Sequence, residues 1–262
     1  MNYLVTGANG GMGRAICRAL TDAGHRVWGI DRAVSEEDIA WQCFRADVTD
    51  MGVLEAMTET IRQEAGQLDG IVHAAGVYDL DSLVEIPEER FLRDFDVNLF
   101  GMYRVNKVFL PLLEPGGRIV MISSELGPLR PLPFTGIYAI TKGAVEKYAY
   151  SLRMELQVLD HPVIVIRPGA VDTGMLPASQ QCLDRFCEET KLYRGSAERF
   201  RNIVGRVEAK RVPPEKVAEK VRKALETKKP RMTYSLNRSP LLRLFNLLTD
   251  RAQLKIIRKV IT

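Results

Sequence analysis

The sequence predicts an α/β fold, a doubly wound parallel sheet with helices on both faces. Three observations predict it. Short apolar strands alternate with amphipathic helical stretches from the first residues to about residue 236. The strands are apolar on both faces, as strands of a buried parallel sheet are. A glycine-rich turn stands at the first strand-to-helix junction.

The elements follow in order. Tyr3-Leu4-Val5 is a short first strand, and Arg14 to Ala23 a helix closed near Gly24. Arg26 to Ile30 and Gln42 to Ala46 are the second and third strands. Asp50 caps a helix running to about Ala65. Leu68 to Ala75 is the fourth strand. Pro87, tolerated in a first turn, opens a long helix to about Leu113. Gly116-Gly117 turns the chain into a fifth strand, Arg118 to Ile122. Tyr138 to about Leu159 is helical, and Val163 to Ile166 is the sixth strand. Such a βαβα rhythm gives a Rossmann-type sheet. After it the pattern changes. Residues 174–211 are polar and basic with Phe186, Tyr193 and Phe200 interspersed. Pro213-Pro214 opens a helix to about Lys228, and Met232 to Leu236 is a late strand. Two C-terminal amphipathic helices, about 240–249 and 251–261, complete the chain.

Composition excludes several classes. With 262 residues, 46% hydrophobic, 27% charged and a net charge of +4, the chain is neither disordered nor fibrous, and suits one catalytic domain over 1–262. No run of about 18 uncharged apolar residues occurs, so no membrane-spanning helix is expected. Met1 to Val5 leads straight into the glycine motif, so no secretory leader is expected and the location is read as cytoplasmic. Cys17, Cys43, Cys182 and Cys187 have no C-x-x-C spacing, and His25, His73 and His161 are the only histidines. Reduced thiols and no metal site are the expectation. Residues 191–262 carry 20 Lys/Arg against 6 Asp/Glu, net +14, while the remainder carries −10. No nucleic-acid motif accompanies this charge, so nucleic acid is not expected as a partner.

The glycine turn reads Thr6-Gly7-Ala8-Asn9-Gly10-Gly11-Met12-Gly13. Gly7 permits a tight turn, Gly11 close approach of a pyrophosphate to the backbone, and Gly13 close packing of helix on strand. The helix that follows offers free N–H groups and a positive dipole end to phosphates. Asp31 ends the second strand, 18 residues beyond Gly13. A carboxylate there accepts both ribose hydroxyls of NAD and repels the 2′-phosphate of NADP. NAD is therefore expected over NADP. Arg32 argues the other way: its guanidinium could stack on adenine, or bind that phosphate if Asp31 turned away.

Tyr138-Ala139-Ile140-Thr141-Lys142 opens a predicted helix, and a spacing of four puts Tyr138 and Lys142 on one face. A nearby ammonium lowers a phenol's pKa, which fits Tyr138 for acid/base work. Ser123-Ser124 ends the preceding strand, Asn98 lies in the long helix after the fourth strand, and Arg167-Pro168-Gly169 with Thr173 follows the sixth strand. The order and spacing of these motifs over about residues 2–235 resemble the short-chain dehydrogenase/reductase superfamily, in its single-domain type. The resemblance implies roles. Tyr138 is the catalytic acid/base, and Lys142 its pKa-lowering partner that also holds the nicotinamide ribose. Ser124 bonds the substrate oxygen, and Asn98 supports a proton-relay water. Asn9, Gly10 and Met12 join Gly7, Gly11 and Gly13, with Asp31 and Arg32, among the cofactor-binding residues. Asp47-Val48 hold adenine. Ala74, Ala75 and Gly76 lie beside the adenine ribose, and Pro168, Gly169, Val171 and Thr173 surround the carboxamide.

Three departures stand out. His73 replaces the first Asn of the strand-end motif and is read as a packed, hydrogen-bonded residue. Ser124 and Tyr138 are 14 residues apart, one more than the pattern, with the extra residue placed in Gly127 to Pro133. The first strand begins almost at Met1.

The reading is thus an oxidoreductase moving a hydride between NAD(H) and a secondary alcohol or ketone. Leu126, Leu129, Leu132 and Phe134 after Ser124 suggest an apolar substrate, steroid-, retinoid- or acyl-like, or else ordinary loop packing. Residues 174–211 are expected to form a substrate lid, where Lys191, Arg194, Arg199, Arg201, Arg206, Lys210 and Arg211 could meet an anion. Residues 239–262, with Leu241, Leu242, Leu244, Phe245, Leu247, Leu248, Leu254, Ile256, Ile257, Val260 and Ile261, are read as packing on the domain or on a second subunit. The alternative for this segment is peripheral attachment to an anionic membrane. Alternatives for the whole are an NADPH-preferring ketone reductase, a non-catalytic dinucleotide-binding protein and a membrane-surface binding protein. The family usually pairs the helices equivalent to 87–113 and 138–159, so a homodimer or homotetramer is expected.

Overall fold

The computed structural model describes residues 1–34, 40–207 and 211–262. β1 (Asn2–Thr6), β2 (Arg26–Asp31) and β3 (Gln42–Arg45) are followed by β4 (Leu68–His73), β5 (Leu113–Ile122), β6 (Val163–Pro168) and β7 (Thr233–Leu236). They form one seven-stranded sheet in the order β3-β2-β1-β4-β5-β6-β7. Every pairing is parallel. The winding reverses between β1 and β4, and ligands of such sheets bind at the carboxyl ends of the strands beside that reversal.

Alternation along the strands sends successive side chains to opposite faces. Leu4, Trp28, Ile71, Ile119, Met121 and Val165 face one core, under α2 (Met51–Ala65), α4 (Gly101–Phe109) and α5 (Gly136–Leu156). Tyr3, Val5, Val72, Val120, Ile122 and Ile166 face the other, under α1 (Gly11–Asp22) and α8 (Glu215–Glu226). The residues form these helices for local reasons too. Asp50 caps α2 by accepting the Val53 N–H at 3.1 Å, and Gly66, at φ +73°, ends it.

Two sequence expectations need correction. The helix expected over 87–113 is one rod but not α-helical throughout: α3 (Glu88–Phe95) and α4 are joined by a wide, π-type turn over Asp96–Phe100. Its reason is local, because this turn aims Asn98 inward. The glycine pair 116–117 lies within β5 rather than before it. Leu113 already pairs with Leu68, and the register shifts between there and the Gly70–Arg118 pair, with Gly116 at φ +83°.

Residues 174–211, expected as a polar, basic lid with no element assigned, contain α6 (Met175–Glu189) and α7 (Arg194–Val207). Phe134, Phe186, Tyr193 and Phe200 pack together beneath them. Lys210 lies outside the described residues, as does the side chain of Arg206. The C-terminal helices are α9 (Pro240–Asn246) and α10 (Asp250–Ile261), capped by Ser239 and Thr249. Among the described residues no helix is long and apolar enough to cross a membrane, and no three His, Cys, Asp or Glu side chains are grouped to hold a metal ion. The four cysteines are unpaired thiols.

Candidate active site

The carboxyl ends of the strands open into two adjoining cavities. The larger, about 440 Å³, is lined by Gly7, Asn9, Gly10, Gly11, Met12, Gly13, Asp31, Arg32, Asp47, Val48, Ala74, Ala75, Gly76 and Thr173. The smaller, about 160 Å³, is lined by Ser124, Tyr138, Lys142, Pro168, Gly169, Val171 and Thr173. Met12, Ala74, Ala75, Gly76, Tyr78, Thr173 and Met175 belong to both walls, so the cavities are continuous. The residues singled out in the sequence thus come together around one cleft, with Asn98 fully buried behind its wall.

The larger cavity is built to take an extended polyanion against backbone. Gly7, at φ +67°, lies so close to Ala75 that a Cβ would sit 2.7 Å from its N and Cα. A Cβ on Gly11 would meet the Thr173 Cβ at 2.6 Å, and one on Gly13 would overlap the Gly7 carbonyl. These contacts bring the loop, the 171–174 segment and the strand-end residues 74–76 together, and α1 starts here with unsatisfied N–H groups. Asp31 accepts the Asn9 N–H at 2.9 Å and the Ala33 N–H at 3.1 Å. The Asn9 amide donates to the Ala33 carbonyl, while its Oδ1 is buried without a partner among the described residues. The residues therefore fit a dinucleotide, with the Asp31 carboxylate on the cavity wall. Arg32 stays exposed on the same wall, 3.9 Å from the Asp47 carboxylate. Arg93 of α3 also lines it.

In the smaller cavity, Ser124 and Tyr138 line the same wall, and the Ser124 Oγ accepts the Leu126 N–H at 3.2 Å. Ser123 instead turns its hydroxyl toward the Lys142 carbonyl, at 3.5 Å. Burial pushes the Tyr138 phenol up to about 12, with neighbouring Ser124 opposing by favouring ionisation. Burial likewise pulls Lys142 down to about 8, with the charge of Glu146 opposing. The expected lowering of the phenol's pKa by Lys142 is thus not what this arrangement gives. The Lys142 ammonium donates to the Ile122 carbonyl at 3.1 Å and lies 5.7 Å from the centre of the Tyr138 ring. Desolvation outweighs it.

Asn98 acts as a brace. Its amide donates to the Val77 carbonyl at 3.0 Å and to Thr141 Oγ1 at 3.1 Å, and its Oδ1 accepts the Val77 N–H at 2.8 Å. A Cβ on Gly76 would lie 3.1 Å from Asn98 Oδ1 and 3.6 Å from Lys142 Nζ. The wide turn, the end of β4 and α5 are thereby locked together. His73 is buried, with Nε2 2.8 Å from Asn106 Oδ1, which agrees with a packed histidine.

Of the four apolar residues after Ser124, Leu126 and Leu132 line the smaller cavity. Phe134, at φ +63°, belongs to the aromatic cluster under α6 and α7. Leu129 is not part of the wall. Sequence reasoning missed several wall residues. Tyr78 packs on Tyr138 with ring centres 4.8 Å apart, and its place two residues beyond Gly76 was the available signal. Glu125, held up by burial, accepts the Ser239 N–H at 2.7 Å. Leu242 of α9 reaches the wall from the far end of the chain, a contact that no local pattern announces. Buried Asp94 on α3 is pushed up to about 6 by burial and by the charge of Asp79.

Comparison with known proteins agrees with this architecture. Residues 2–183 match the family profile described as short chain dehydrogenase. A curated relative, 3-ketodihydrosphingosine reductase of Bacteroides thetaiotaomicron, is 28% identical over 87% of this chain and 84% of its own length. The 2,3-dihydro-2,3-dihydroxybenzoate dehydrogenase of Escherichia coli is 28% identical over 73% of this chain and 80% of its own. A solved short-chain dehydrogenase from Streptomyces avermitilis superposes with a TM-score of 0.76 at 27% identity, covering 99% of this chain and 96% of that one. With a parallel sheet, a glycine cradle and a Tyr/Lys/Ser group at its carboxyl edge, the chain belongs to the short-chain dehydrogenase/reductase superfamily, a family of NAD(P)(H)-binding oxidoreductases.

Proposed function

We propose that the protein is a single-domain, NAD-preferring oxidoreductase that interconverts an apolar secondary alcohol and its ketone, with Tyr138 as acid/base. The observation that carries the reading is that Ser124, Tyr138 and Lys142, all buried, line one apolar pocket that opens into the glycine-lined cavity. A nicotinamide, when bound, accepts or supplies the hydride and, oxidised, carries a positive charge that favours the phenolate. Ser124 orients the substrate oxygen. In the reducing direction Tyr138, protonated at neutral pH, gives its proton to the developing alkoxide; in the oxidising direction its phenolate takes that proton. Lys142 supplies positive charge beside the phenol, and the Asn98 brace fixes α5 against the strand end.

Ile122, Leu126, Leu132, Val171, Met175 and Leu242 make the pocket apolar, which favours a long or fused hydrocarbon skeleton. A ketone such as that in the name of the Bacteroides relative fits this class. In this reading α6 and α7 form the substrate lid. Arg32 and Arg93 on the dinucleotide wall support a second reading, a preference for NADPH.

Fluorescence titration with NADH and with NADPH tests the cofactor. Tighter NADH binding, narrowed in Asp31→Ala, is expected. Tighter NADPH binding, or an unchanged ratio in Asp31→Ala, would overturn the role given to that carboxylate. Tyr138→Phe is expected to abolish turnover of apolar secondary alcohols while retaining NADH binding, and appreciable residual turnover would refute the acid/base assignment.

A further inference from the structure

We infer that the α9–α10 surface docks on an anionic lipid bilayer. Ser239 and Pro240 start α9 with Leu242 turned inward, buried and on the substrate-pocket wall. The other leucines are left outside. Leu241 is 65% exposed, Leu244 63%, Leu247 82% and Leu254 70%. Leu241 and Leu244, three apart on α9, share one side of it, and Leu247 and Leu248 follow directly on its end. Ile256 and Val260, four apart on α10, are also exposed. An apolar surface of this kind is not left to water without cause.

Charge says what covers it. Arg238, Arg243, Arg251, Lys255, Arg258 and Lys259 are all exposed. Within 238–262 the sole carboxylate side chain is Asp250, held by Arg130 at 3.0 Å. A protein face would need matching carboxylates to cover such a ring, whereas an anionic leaflet offers negative charge everywhere. Apolar residues among Lys and Arg are the pattern of a helix lying in the interface. The platform is also firmly attached to the catalytic body. The Arg130 N–H donates to Asn246 Oδ1 at 2.7 Å, its guanidinium to the Asn246 and Leu248 carbonyls, and Glu125 holds the start of α9.

The test is flotation of the full-length protein with vesicles of phosphatidylcholine alone and of phosphatidylcholine with phosphatidylglycerol. Binding to the anionic vesicles only, reduced at least several-fold by high salt, is expected. The Leu241→Ser/Leu244→Ser/Leu247→Ser variant and, separately, the Arg251→Ser/Lys255→Ser/Arg258→Ser variant are expected to lose it. Sedimentation velocity and NADH titration run beside flotation on each protein. Unchanged NADH binding certifies the fold, so this result is independent of the alcohol/ketone reading. No flotation with anionic vesicles overturns the proposal. So does flotation that survives both variants, and so does a leucine variant that breaks an oligomer while the wild type ignores vesicles, which would make the face a contact between copies of this chain.

Discussion

His73 shows what one buried side chain contributes to the pH response. Burial pulls its imidazole down to about 4, against a hydrogen bond with Asn106 that favours the charged form. The folded state therefore keeps it neutral at pH 7, while the unfolded chain protonates near 6.5. Between those values the unfolded state binds the extra proton, so stability falls as pH drops from about 6.5 to about 4, by up to about 3 kcal/mol. His73→Asn is expected to flatten that fall in urea unfolding at pH 7 and pH 4.5, and an unchanged slope would contradict it. At this scale identity was legible and environment was not. Tyr138, Lys142 and Ser124 announce themselves by type and spacing. That the phenol sits near 12, and that Asn98 spends its amide on Val77 and Thr141, depends on what is packed around them.

The α6–α7 pair was legible only as a change in composition, because its helical faces are polar and its aromatic residues are widely spaced. The structure anchors it twice. Phe186 and Phe200 are buried against Phe134. Arg185 of α6 also reaches Asp79, after β4, at 2.6 Å, and Arg90 of α3 holds the same carboxylate. Burial works to raise the Asp79 pKa, but the Arg90 hydrogen bond and charge override it and leave the carboxyl below its usual range. Glu85 accepts the Thr190 hydroxyl at 2.6 Å and the Lys191 and Leu192 N–H groups, fixing the corner between the helices. Removing one partner of a half-buried network strands the others. Asp79→Ala is therefore expected to speed proteolysis within 175–207 and raise the alcohol KM several-fold, with NADH affinity kept. Unchanged cleavage and KM would show that the aromatic cluster alone holds the pair.

The molecule as a whole was the most legible level. Two-faced strands require helices on both sides, and the glycine turn at the first junction sets the carboxyl edge as the binding side, so sheet and cleft followed from pattern. The reach of Leu242 into the pocket did not, since it joins residues far apart in sequence. Phe100, Tyr103, Tyr150 and Met154 remain exposed on α4, its entering turn and α5, where the family resemblance implies pairing. Sedimentation equilibrium is expected to show a dimer or tetramer that Tyr103→Glu/Tyr150→Glu shifts toward monomer with NADH binding intact; a wild type that is monomeric at micromolar concentration would refute it. The wide turn over Asp96–Phe100 carries one more consequence. An α-helix advances about 100° per residue, so the surplus residue there is a phase offset between two halves of one rod. Met102, Val105 and Phe109 are in phase with the core, and Asn98 with the strand end. Deleting a single residue from the turn would turn the rod into a plain α-helix, so that Met102, Val105 and Phe109 keep their face while Asn98 loses its inward aim.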